Sequence, residues 1–135
     1  MHQIYPDEGL IQLLQRLVTA SVRYHLFVNN VTIDRGTVHG VMTEQGGGSG
    51  YVAVDVVAGA WTASGITSHI GSLVAPPISF TPVGASWTLY GYFVTDSGLS
   101  DILWAANFDG APITVPDGTP LLITPIVGDF SRYSS

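Results

Sequence analysis

The chain has no cysteine and no lysine among its 135 residues. Without cysteine it can form neither a disulfide framework nor a thiolate metal site. Without lysine, four arginines face ten carboxylates, and the formal net charge is −6 at pH 7. A nucleic-acid surface needs a basic stripe to neutralise phosphates, and an anionic membrane needs one too, so both classes of partner are disfavoured. Charge of either sign is scarce, at 10% of residues. No apolar run reaches the roughly 18–20 residues that span a bilayer as a helix. Met1-His2-Gln3 offers no basic start, and Asp7 and Glu8 precede the first apolar segment. That is not the pattern of a secretory signal, so the expectation is a chain made in a cytoplasm that does not use the general export route.

What is present is apolar and small. Hydrophobic residues make up 46% of the chain, with 16 glycines and 8 prolines. The length suits one domain over 1–135, and such a domain can bury roughly two-thirds of its unfolded surface. Two readings fit the apolar excess: a large core, or a surface partly covered by a partner.

Trp87 to Phe108 is the clearest stretch. Two runs rich in aromatic and β-branched residues flank the polar turn Asp96-Ser97-Gly98-Leu99-Ser100-Asp101. This predicts a β-hairpin. Alternation puts Trp87, Leu89, Gly91 and Phe93 on one face and Thr88, Tyr90, Tyr92 and Val94 on the other. Neither face is plainly polar, which predicts that both are covered.

Before it, Leu10, Leu13, Leu14, Leu17 and Val18 recur at helical spacing behind an acidic first turn. They predict one amphipathic helix over about 7–19. Val22, Tyr24, Leu26 and Val28 then alternate as a strand, and Asn29-Asn30 ends it. Val38 to Met42 reads as a short extended piece, Gln45 to Gly50 as a flexible loop, and Tyr51 to Val57 as a strand. Ile66 to Val74 reads as one strand broken or bulged at Gly71, Ile78 to Thr81 as a short strand, and Ala111 to Val115 as another. Leu121 to Val127 is interrupted by Pro125 and so belongs near an edge. About eight or nine strands with turns between them predict an all-β, jelly-roll-like two-sheet sandwich over about 21–128, with a short tail beyond. An immunoglobulin-like sandwich is the second choice.

Catalytic patterns are few. There is no G-x-S-x-G elbow, and Gly46 to Gly50 feeds a strand without a phosphate-loop lysine. His2, His25, His39 and His69 are scattered, with no H-x-H pair of the cupin kind, and each reads first as a surface or satisfied strand residue. Asp96, Asp101 and Asp109 read as turn carboxylates before they read as a hydrolytic pair or a calcium site. Trp61, Trp87, Trp104, Tyr90 and Tyr92 are either core or a sugar-stacking platform. No catalytic, cofactor or metal residues are assigned.

Several short motifs occur in a fixed order. They are Gly9-Leu10-x-x-Leu13-Leu14, Leu26-Phe27-Val28-Asn29-Asn30-Val31-Thr32, Thr43-Glu44, Gly50-Tyr51 and Trp61. Tyr90-Gly91-Tyr92-Phe93-Val94-Thr95-Asp96, Leu103-Trp104-Ala105, Asp117-Gly118 and Thr124-Pro125 complete the order. In this the chain resembles a group of small proteins encoded by tailed bacteriophages near their structural genes. The resemblance implies a non-enzymatic virion component, foremost a capsid decoration (cement) protein held to the major capsid protein. A homo-oligomer such as a trimer is expected, with no cofactor. Contacts are expected at Ile4, Tyr5 and Pro6 of the N-terminal arm, Gly47 and Gly48 of the glycine loop, and Phe130 and Tyr133 of the tail. The alternatives are a tail, baseplate or fibre component that binds a host glycan, and a small enzyme on a jelly roll.

Overall fold

Val, Ile, Thr and aromatic residues dominate the segments between the glycines and prolines, and they form strands throughout. The computed structural model describes residues 20–67, 70–97 and 101–128. The expected helix over 7–19 lies outside these residues. Among the described residues the fold is all-β, and every strand pairing is antiparallel.

The strands are β1 (Val22–Phe27), β2 (Val54–Val56), β3 (Thr62–Thr67), β4 (Ile70–Val74), β5 (Ile78–Phe80) and β6 (Trp87–Leu89). They continue with β7 (Gly91–Asp96), β8 (Ile102–Asn107), β9 (Ile113–Val115), β10 (Leu121–Ile123) and β11 (Ile126–Gly128). The sheets run β2-β1-β7-β8, β11-β4-β3, β10-β5 and β6-β9.

All four of these sheets contain pieces of one antiparallel ribbon. Its two arms, 70–96 and 102–128, pair from Thr95↔Ile102 through Gly91↔Asn107, Trp87↔Val115 and Phe80↔Leu121 to Val74↔Ile126. Prolines and glycines interrupt the ribbon without separating its arms. At Pro76-Pro77 and Pro125 the ladder loses donors, and Ala75 N–H still reaches Pro125 O at 3.0 Å. At the next break Gly118 N–H donates to Pro82 O at 2.9 Å, and Asp117 Oδ1 accepts from Gly84 N–H at 2.9 Å. β1 adds to the far side of β7, and β2 lies beyond it.

One core collects buried residues from both arms and from β1. Val22, Tyr24, Leu26, Leu73, Phe80, Trp87, Leu89, Val94, Trp104, Val115 and Val127 all belong to it. A second, smaller cluster lies on the other side of β1, β7 and β8. Phe27, Phe93 and Ala105 are buried there beneath Val31, Ile33 and Met42. Both faces of β7 are therefore covered, as the apolar run Tyr92-Phe93-Val94 implies.

Several sequence expectations need correction. The first hairpin arm is two strands, not one. Tyr90 N–H bonds Phe27 O, and Tyr90 O accepts from Phe108 N–H, both at 2.9 Å, so the arm turns a corner there. The corner inverts the alternation. Trp87 and Leu89 share the main core with Tyr92 and Val94, while Phe93 belongs to the second cluster. Ile66 to Val74 is divided between β3 and β4, and Gly71, the expected point of a break or bulge, lies within β4. β3 and β4 form a separate pair, whose register shifts between Ser64 and Thr67. The expected extended piece at Val38–Met42 contains a 3₁₀ turn, His39–Val41. The glycine loop contains a second such turn, Gly47–Ser49, closed by Gly50 at φ 80. The expected strand over Tyr51–Val57 shrinks to β2.

Candidate functional site

Alternation along β1 points Val22, Tyr24 and Leu26 into the main core. Arg23 and His25 therefore lie on the opposite face, with Phe27. His25 stacks on Phe93 of β7, ring centroids 4.6 Å apart and planes 7° apart. The segment 28–45 crosses this face and returns along the edge of β1. Val28 N–H donates to Thr43 O at 2.8 Å, and Gln45 N–H to Leu26 O at 2.9 Å. Asn29 holds both ends of the crossing, donating to Val41 O and accepting from Thr43 N–H, each at 2.9 Å. Asn107 of β8 donates to Val31 O at 3.0 Å.

This return places Glu44 beside His25. Glu44 Oε2 lies 2.8 Å from His25 Nδ1 and accepts from Tyr51 Oη at 2.6 Å. His25 Nε2 lies 2.9 Å from Thr95 Oγ1 on β7. Tyr51 Oη also accepts the Leu26 N–H at 3.0 Å. That donor falls in the gap between β2, which ends its pairing at Tyr24, and the bridge from Phe27 to Glu44. The hydroxyl thus fills a missing rung of the sheet. In the neutral ring, Nδ1–H donates to Glu44, and Nε2 accepts from the Thr95 hydroxyl.

The charges follow from this wiring. Burial pushes the Glu44 pKa up, but the hydrogen bonds from His25 and Tyr51 outweigh it and leave the carboxyl below its ordinary 4.5. Burial first, and then the bond to Glu44, pushes the Tyr51 phenol up, so Tyr51 remains a donor. Next to this cluster Arg23 grips Asp55 of β2 through Nε at 2.6 Å and Nη2 at 3.2 Å. That grip holds the Asp55 carboxyl below its ordinary 3.8.

Hydroxyl, imidazole and carboxylate in line is the connectivity that activates a nucleophile. Here the exposure runs the wrong way for that chemistry. Thr95 is only 1% exposed, whereas the Glu44 side chain is 36% exposed. A reacting carbonyl has no approach to Thr95 Oγ1 in this conformation, and the accessible end is the acid. What the arrangement does is join three pieces of chain that are distant in sequence.

The other sequence candidates fall elsewhere. His25 is satisfied in a strand, as expected. His39 is exposed, with its ring edge toward Phe93 at a centroid distance of 5.5 Å. Among the described residues no three His, Asp or Glu side chains converge as a metal site. Of the aromatic candidates, Trp87, Trp104 and Tyr92 are in the core, and Trp61 packs partly buried against it. Trp61 packs at 71° against Trp104, and Trp87 at 82° against Tyr51, so ring edges meet ring faces. The indole N–H groups of Trp61, Trp87 and Trp104 are buried without a hydrogen-bond acceptor among the described residues. Gly47 and Gly48 are exposed in their 3₁₀ turn. His2, His69, Ile4, Tyr5, Pro6, Phe130 and Tyr133 lie outside the described residues.

Sequence reasoning did not find Glu44, Tyr51 and Thr95. The one available signal was His25, a titratable side chain facing away from the core on a strand whose neighbours are apolar. No family model matches the chain, and no curated protein or solved structure matches it.

Proposed function

We propose that this is a non-enzymatic structural protein of a virion, foremost a capsid decoration protein, built as a jelly roll and acting as a homo-oligomer such as a trimer. The jelly-roll reading is supported by the ribbon of 70–96 against 102–128, because a long antiparallel ribbon folded over one core is how such a fold is wound. The functional reading is carried by one contrast. The hydroxyl of the most reaction-like cluster is sealed, while large aliphatic side chains stand in solvent at Val38, Val41, Val52, Val57, Val83, Leu122 and Ile126. Exposed aliphatics on a weakly charged surface suit contact with other proteins. The partner would be the major capsid protein or another protein of the particle.

The test is co-sedimentation with capsids that lack this protein, assembled from the shell protein of the same virus. Saturable binding at a fixed ratio to the shell protein is expected. No binding at tens of micromolar, with the protein folded, contradicts the capsid reading. Binding to tails or to a host glycan instead would move the protein elsewhere on the particle.

A further inference from the structure

Residues 28–45 leave β1, cross the outer face of the sheet and come back to its edge. The backbone ties only the two ends: Val28 N–H reaches Thr43 O, and Gln45 N–H reaches Leu26 O. Between them the backbone bonds are internal. Thr37 N–H donates to Asp34 O at 3.2 Å, Val41 N–H to Val38 O at 3.1 Å and Met42 N–H to His39 O at 3.0 Å. Beneath the crossing, Phe27, Phe93 and Ala105 are buried, with Val31, Ile33 and Met42 packed on them. The segment is a strap laid over an aromatic face.

One of its ties is electrostatic, and two imidazoles share it. His25, on the sheet, stacks face to face on Phe93. His39, on the strap, meets the same ring at 71°. Glu44 Oε2 bonds His25 Nδ1. Burial raises the Glu44 pKa, whereas the bonds from His25 and Tyr51 and the attraction of His25 and His39 lower it. The carboxylate thus serves one imidazole of the sheet and one of the strap. The neighbouring charges are engaged or point away. Asp55 of β2 is gripped by Arg23 of β1. Asp34 Oδ1 accepts from Gly36 N–H at 2.8 Å within its own exposed turn, next to Arg35. Asp96 alternates to the opposite face of β7 from Thr95. Gly91 and Thr95, which share the Phe93 side of β7, carry no charge, and neither does β8 from Ile102 to Asn107. Tyr51 and Tyr90 are phenols, which are neutral in acid.

We propose that 28–45 is an acid-released strap: the Glu44 carboxylate, bonded to His25 and attracted to His39, keeps it on the Phe27–Phe93 face, and loss of that charge loosens it while the sheet stays folded. In acid, imidazoles are charged and a protonated carboxyl is not. Two cations then rest on one phenylalanine ring, one belonging to the sheet and one to the strap, and they repel. Because the Glu44 pKa lies below its ordinary 4.5, the hold is complete above that value and fades beneath it. The proposal rests on this cluster and is independent of the virion reading.

The experiment is amide hydrogen exchange on the full chain, from pH 7 to pH 3.5, with each rate divided by the intrinsic rate of its residue at that pH. Wild type, Glu44→Gln and His39→Gln are compared. In wild type the protection of 32–41 is expected to fall about tenfold or more below pH 4.5, and that of β7 to fall less. In Glu44→Gln the fall moves up to where imidazoles charge, about pH 5 to 7. In His39→Gln, which alters an exposed side chain, the fall shrinks to about threefold or less, since the strap no longer carries a cation against Phe93. Strap and β7 losing protection together means global unfolding and overturns the local release. Protection of 32–41 that is unchanged down to pH 3.5 overturns it as well. A His39→Gln profile identical to wild type removes the paired-imidazole cause and overturns the proposal even if Glu44→Gln does not fold.

Discussion

Gly91 is the most tightly enclosed of the described glycines. A Cβ there would sit 2.1 Å from Ala106 O and 2.7 Å from two ring carbons of Phe27. The corner at Tyr90 and the packing of Phe27 over β7 both use that missing side chain. Gly91→Ala should destabilise the fold by about 3 kcal/mol or more, at the upper end for overpacking, as read by urea denaturation. Because the nearest atom is a backbone carbonyl, adding Phe27→Leu should not restore the loss. Tyr51 makes a second prediction at this scale. Tyr51→Phe strands the Leu26 N–H and removes a donor from Glu44, and should cost about 1–3 kcal/mol. A loss below 0.5 kcal/mol, on the order expected of an ordinary surface change, would mean the hydroxyl is not filling the rung.

The Glu44 carboxyl sets a pH dependence whose sign follows from its lowered pKa. A group held below its unfolded value stabilises the fold fully above that value, here 4.5, and the stabilisation fades as pH falls through the folded value. Asp55 acts the same way below 3.8, through an ion pair whose side chains are about two-fifths exposed and therefore weak. Stability measured by denaturant from pH 7 to pH 3 should thus fall below about 4.5, and the fall should be shallower in Glu44→Gln. An identical profile in the variant would remove Glu44 from the account.

At the level of elements, the 28–45 segment is the part least supported by regular structure. It has one three-residue turn, and its hold on the sheet comes from Asn29, Asn107, Glu44 and the cover of Val31, Ile33 and Met42. Hydrogen exchange should therefore show two tiers. Amides of β1 and β7 should exchange slowly, and those of 32–41 faster, with Val28, Thr43 and Gln45 protected between them. Asn29→Ala removes both bonds at the neck of the crossing and should speed exchange across 28–45 while leaving β7 slow. The strand positions here were largely legible from alternation and from Gly and Pro. The corner at Tyr90 was not, because a one-residue shift in parity is set by the partners on either side, β1 and residue 108. The His25 cluster was not legible either. Glu44 is 19 residues from His25 and Thr95 is 70, and no local pattern links positions that only the sheet brings together.

For the whole molecule, the ribbon from 70 to 128 explains how so many short, proline-broken strands share one core. The sequence shows the breaks plainly at Pro76-Pro77, Pro82, Pro116 and Pro125, but each break looks like the end of an element. Only the register across them shows that the arms stay paired. The apolar excess noted in the composition turns out to divide in two: most of it fills the cores, and the remainder stands exposed as aliphatic side chains. The proposed role follows from that remainder, since proteins that work by contact need surface to be covered.

The most direct test of the proposed virion role is electron cryomicroscopy of an intact particle whose genome encodes this chain, at a resolution that distinguishes strands. The proposal predicts density matching the described fold at regularly repeated positions on the shell. A fully traced particle in which no density fits this fold would contradict it.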